Sequence, residues 1–136
     1  MIIDLDEIIN AVEFVSASHV FDNEAYINRK SGDIIYIGDL IDEPAPSDLN
    51  EAGKYLQIPT KRALDLGKRL ALDFTALNMP DKSGYILSVF SRSGAYERFK
   101  TLLDNRGQTE NWYAYENNKI KVAVIDWCKA NSINYT

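Results

Sequence analysis

Apolar residues near the start of the chain recur at helical spacing: Leu5, Ile8, Ile9 and Val12 stand at i, i+3, i+4 and i+7, the period of one buried helix face. The spacing predicts a helix over residues 5–14. Asp4, followed three positions later by Glu7, resembles a capping box, and the carboxylates of the first turn suit the positive end of the helix dipole. The period then changes to two. Residues 25–29 and 33–37 are rich in Tyr and Ile and are separated by Lys30, Ser31 and Gly32, which predicts a hairpin with Gly32 at the positive φ of a tight turn. Ile35 and Ile37 point to one side of the second strand and Ile34 and Tyr36 to the other. A strand apolar on both sides is expected inside a sheet or beneath helices.

Residues 39–53 lose this pattern and gather Asp42, Glu43, Asp48 and Glu51 around Pro44 and Pro46, as an exposed acidic loop does. Tyr55, Leu56, Gln57 and Ile58 form a third short strand that Pro59 ends, and Thr60 is the N-cap of a helix expected over residues 61–77. Ala63, Leu66, Leu70, Phe74 and Leu77 lie on its inner face. Gly67 is expected at a close packing contact, because glycine inside a helix costs about 1 kcal/mol relative to alanine. A shorter helix over 81–90 buries Ile86, Leu87 and Phe90.

Beyond it, Gly94 opens a helix to Arg106 whose core stripe is Ala95, Tyr96, Phe99, Leu102 and Leu103. Gly107 is its left-handed cap. Arg98 and Lys100 advance about 200° from one another on the wheel and flank the stripe on opposite sides. The last helix covers residues 110–130, with a break expected at Asn117 and Asn118 because their amides compete with helix hydrogen bonds. Trp127 is expected as a large core anchor and Cys128 as an inert core thiol. Trp112, Tyr113 and Tyr115 cannot all point one way on a helix. Two readings follow. They are core and boundary residues, or at least one ring forms a ledge with Arg98 or Lys119 on which a base or a partner side chain stacks.

The run Gly94-Ala95-Tyr96-Glu97-Arg98-Phe99-Lys100, then Trp112-Tyr113-Ala114-Tyr115 and Trp127, read with the Gly32 hairpin and the Ile58-Pro59 pair, resembles the bacterial uncharacterised protein family 0158. That family carries no assigned activity, so the resemblance implies no reaction. Ser93 precedes Gly94 where the family's opening has arginine, and Arg92 is the basic residue close enough to take that place.

The chain has 136 residues, of which 46% are hydrophobic and 26% charged. A single globular domain over residues 1–136 is expected, able to bury roughly 68% of its unfolded surface. No stretch is long and apolar enough to span a membrane, and the start of the chain has no basic, apolar signal pattern. The protein is therefore expected to be cytoplasmic. The net charge of −5 divides unevenly: residues 1–53 hold 12 acidic and 2 basic side chains, residues 54–136 hold 8 and 13. With a pI of 4.8, nucleic acid is a less favoured partner than a protein or a small anionic ligand.

A single cysteine rules out an intrachain disulfide and a thiolate metal cage. No Walker loop, dinucleotide glycine pattern or two-histidine metal motif is present. No cofactor or metal is expected. The sequence thus predicts an α+β fold, a hairpin plus a short third strand packed against four or five helices. Its function is expected to be non-enzymatic binding or regulation through Arg92, Arg98, Trp112, Tyr113 and Tyr115. The alternative is a small hydrolase or transferase using His19 with Asp22 or Glu24.

Overall fold

Asp4 begins the first helix. Its carboxylate accepts a hydrogen bond from the Asp6 N–H at 2.9 Å and caps α1 (Leu5–Ser16), two residues longer than the apolar spacing alone predicted. Among the described residues Glu7 makes no reciprocal capping-box bond. The computed structural model describes residues 1–17 and 22–136. They form an α+β fold with five α-helices and one three-stranded antiparallel sheet among the described residues. The chain divides into two compact units, Met1–Leu64 with Lys121–Thr136, and Asp65–Ile120.

In the first unit, β1 (Glu24–Asn28) pairs antiparallel with β2 (Ile34–Ile37) on one side and with β3 (Tyr55–Gln57) on the other. Gly32 turns the hairpin at φ +82°, and a side chain there would come within 2.7 Å of Met1 Cγ. Asn28 Oδ1 accepts from the N–H groups of Lys30 and Ser31, which fixes the turn. Ala25 and Ile27 are fully buried. Tyr36, opposite Ala25, meets Phe14 of α1 edge-on at 5.0 Å, so this is the face that packs on the helix. Of the two places expected for residues 33–37, inside a sheet or beneath helices, the structure shows the second: Tyr36 packs under α1, while β2 lies at the sheet's edge because β3 returns to β1.

The chain ends are tied together beside this sheet. Ile3 donates to the Asn134 carbonyl and accepts from Thr136 N–H, each at 3.0 Å. At the end of α5 (Thr109–Ala130) the Ile133 N–H reaches Cys128 O at 2.8 Å, and Ser132 takes φ +58° where glycine is usual. Cys128 is buried, and burial pushes its thiol upward. Trp127 is only half-buried, so Val124, Cys128 and Ile133 fill the core place expected for it.

The helix expected over 61–77 is interrupted. Thr60 caps a single turn through Ala63 N–H at 3.0 Å, then Asp65 adopts φ +58°, and α2 runs only from Lys68 to Asn78. Gly67 is its N-cap, and an added side chain there meets nothing within 4 Å; the expected close packing contact does not exist. Leu66, Leu70 and Phe74 are still buried, whereas Ala63 and Leu77, expected on the same face, are exposed.

The rest of the second unit begins with a 3₁₀ turn (Pro80–Lys82) and α3 (Ser83–Val89). Helix α3 buries Ile86 and Val89, whereas Leu87, expected inside, is 57% exposed. Helix α4 (Ala95–Asn105) buries Phe99, Leu102 and Leu103. Tyr96, expected in that stripe, sits at its border with its ring edge on Phe90 at 5.7 Å. Helix α4 closes with paired bonds, Gln108 N–H to Leu103 O at 2.8 Å and Gly107 N–H to Asp104 O at 3.2 Å, around Gly107 at φ +65°. This is a Schellman motif. Helix α5 then runs unbroken through Asn117 and Asn118, where a break was expected; among the described residues neither side-chain amide bonds to the backbone.

Gly107→Ala is expected to lower the unfolding free energy by about 1–2 kcal/mol through the left-handed backbone alone, since nothing lies within 4 Å of its added methyl. Urea unfolding with an unchanged m-value checks this.

Candidate functional site

Arg98, Thr101, Leu102 and Asn105 fall at i, i+3, i+4 and i+7 of α4, one flank of the helix beside its buried stripe. Together with Lys82 and Tyr85 from the preceding turn and α3, they line a groove of about 300 Å³. Phe99 and Leu102 face the core, and this leaves Arg98 at the groove. Lys82 Nζ lies 5.7 Å from the ring centroid of Tyr85. Among the described residues neither Lys82 nor Arg98 makes an ion pair.

Asp81, the carboxylate that precedes Lys82 in the chain, is bonded to Arg106. Arg106 donates to its Oδ1 at 2.6 Å, and this bond chiefly holds the Asp81 carboxyl below its usual range. The arrangement offers two cations, a phenol, a hydroxyl and an amide to one recess. Such donors suit a carboxylate or phosphate, which an arginine fork can grip bidentately. A wider depression of about 890 Å³ lies in the first unit between residues 28–31 and 51–54. There Lys54 is already engaged by Asp48, whose carboxyl is held low by Lys54 and then Tyr55.

The sequence profile of the uncharacterised protein family UPF0158 matches residues 1–136. The chain belongs to this family. No curated protein and no solved structure matches it. Among the described residues of this UPF0158 chain no helix is long and apolar enough to cross a membrane.

The residues singled out from the family-like motifs separate into different environments. Trp112 is 2% exposed and meets Phe74 and Phe99 edge-on, with centroids 5.3 and 4.9 Å apart. It is a core residue and presents no ring to a partner, which corrects its place on the expected surface. Tyr115 is half-buried against Phe74 and Trp112, with Lys119 Nζ 5.4 Å from its centroid. Burial, then Asp73, raises its phenol. Tyr113 is 48% exposed and borders a separate recess of about 60 Å³ with Lys100 and Thr109. Arg92 is exposed and donates to Ser88 Oγ at 3.2 Å. The structure thus brings Trp112 and Tyr115 together; among the described residues no hydrogen bond, ion pair or ring contact joins Arg92, Arg98 and Tyr113.

Lys82, Tyr85, Thr101 and Asn105 went unnoticed in the sequence. The polar flank of α4 was legible as a helical row containing Arg98. Lys82 and Tyr85 carry no such signal, since only the packing of α3 on α4 brings them to the same groove. Of the hydrolytic alternative, His19 lies outside the described residues. Asp22 is exposed, and Glu24 accepts from Tyr26 OH at 3.3 Å. No group of three or more His, Cys, Asp or Glu residues suited to a metal occurs among the described residues.

Trp112→Ala is expected to cost about 3–5 kcal/mol of stability and Tyr113→Ala no more than about 0.5 kcal/mol, as read by chemical denaturation. A depressed Asp81 makes the Asp81–Arg106 pair stabilising above the unfolded carboxyl's pKa and progressively lost as pH falls through the lower folded value. Carboxyl NMR titration should show this depression in the native protein and its relief in Arg106→Ala.

Proposed function

We propose that this UPF0158 protein is a cytoplasmic, non-enzymatic binding or regulatory module whose α3–α4 groove holds an anionic group of a protein partner or of a small ligand. The observation that carries this reading is the placement of Lys82 and Arg98 on one recess without an ion pair among the described residues. Cations in a shared groove reinforce one another's attraction for an anion more than cations scattered over a surface. Tyr85 adds an exposed ring and hydroxyl, while Thr101 and Asn105 supply hydrogen-bonding groups without opposing charge.

The reading keeps Arg98 at the centre of the surface suggested by the sequence and replaces the buried Trp112 ring with Tyr85. Arg92, Tyr113 and Tyr115 are then outer residues that a larger partner would touch, and a small ligand would not. The acidic pI argues against extended nucleic acid as that partner, because a polyphosphate chain needs a broad basic footprint.

Titration of the ¹⁵N-labelled protein with sodium phosphate and, separately, with an oligoglutamate peptide tests the proposal. Shifts should concentrate at Lys82, Tyr85, Arg98, Thr101 and Asn105 and weaken with salt. Arg98→Ala should reduce affinity roughly tenfold, the loss of one charge-assisted contact, with the fold's spectrum preserved. Shifts spread over the whole surface, or affinity indifferent to Arg98→Ala and Lys82→Ala, would overturn the reading.

A further inference from the structure

The outer edge of β2 has unpaired backbone groups, and the ladder defines which ones. Asn28 N–H donates to Asp33 O at 2.8 Å, so Asn28–Asp33 is a hydrogen-bonded pair. Alternation along an antiparallel ladder then gives the same status to Tyr26–Ile35 and Glu24–Ile37. Ile35 and Ile37 spend their backbone groups on β1. Ile34 and Tyr36 direct theirs away from the sheet, and among the described residues no partner meets them. The strand reads Ile-Ile-Tyr-Ile, without the charge, proline or bulge that usually blocks an edge from pairing.

The charges beside this edge specify an occupant. Arg29 and Lys30 stand at the turn end of β2 against the single acid Asp33, whereas Asp39, Asp42 and Glu43 follow its other end. All six side chains are exposed. An antiparallel partner with the same sequence reverses the order and sets the basic end of each strand beside the acidic end of the other.

We propose that β2 pairs with the β2 strand of a second copy of this chain, antiparallel, about a two-fold axis through Ile35. In this register the outward N–H and C=O groups of Ile34 bond to those of the partner's Tyr36, and those of Tyr36 to the partner's Ile34. Ile35 faces the partner's Ile35 in the non-hydrogen-bonded position, where opposed side chains approach most closely. Beyond the paired strands, the basic turn of each copy, with Arg29 and Lys30, lies at the end where the partner's Asp39, Asp42 and Glu43 follow its strand. Asp33 opposes the uncharged Ile37 of the partner subunit. The two sheets join into one, and the interface is isologous, as two-fold symmetry requires.

Analytical ultracentrifugation over a wide range of concentrations, combined with amide hydrogen exchange, tests this. The expected result is concentration-dependent dimerisation that weakens with salt, with protection rising at the Ile34 and Tyr36 amides; the Ile35 and Ile37 amides are already protected in the monomer. Lys30→Asp and Asp39→Lys should each weaken the dimer roughly three- to tenfold, given two exposed symmetry-related charge pairs, and the double reversal should restore it. Ile35→Lys opposes two lysines on the axis and should leave a folded monomer. If that variant fails to fold, the charge reversals and the amide pattern decide the matter. A monomer at every concentration, a dimer indifferent to the charge reversals, or protection of the same amides only by an added foreign peptide would overturn the proposal.

Discussion

In the second unit, the near-perpendicular contacts of Trp112 with Phe74 and Phe99 are the constraint from which the rest follows. Edge-to-face rings add to the area they bury, and their geometry leaves little freedom of rotation. Three helices therefore acquire fixed inner faces at once: α2 through Phe74, α4 through Phe99 and α5 through Trp112. Once Phe99 is turned inward, its neighbours on α4 have no choice of direction. Arg98 must lie on the flank toward α3, and Lys100 on the flank that borders the recess of Tyr113.

Charge is deployed around that packing in two distinct ways. Some groups are fastened, as Asp81 is by Arg106 and Asp48 by Lys54 and Tyr55. The Asp81–Arg106 pair is solvent-exposed and the Asp48 group half-buried, so they orient turns and contribute modestly to stability. Others, among them Lys82 and Arg98, make no ion pair among the described residues. Binding has more to gain from charges of this second kind, because no existing bond must be broken before a ligand is gripped.

Much of the fold was legible from residue patterns. Asp4 and the Leu5–Ile8–Ile9–Val12 spacing identified α1, the Tyr- and Ile-rich runs around Gly32 identified the hairpin, and Gly107 marked the end of α4. Leu66, Leu70 and Phe74 fit a helical period whether or not the backbone is helical between them, so periodicity could not see the break at Asp65. Leu87 was misplaced for a related reason: a seven-residue helix presents too few turns for its buried side to be deduced from apolar content. Asn117 and Asn118 show the converse, weak helix formers carried through by the packing of a long helix.

Sequence alone determined the elements with local causes, namely caps, tight turns and amphipathic faces, together with membership of the UPF0158 family and the helical row that holds Arg98. Those depend on neighbours within a turn or two. Tertiary structure decided that Trp112 is a core residue, that β2 is an edge strand and that Lys82 and Tyr85 share a groove with Arg98. Each of these depends on which distant segment packs alongside, and residue spacing within one segment carries no record of that choice.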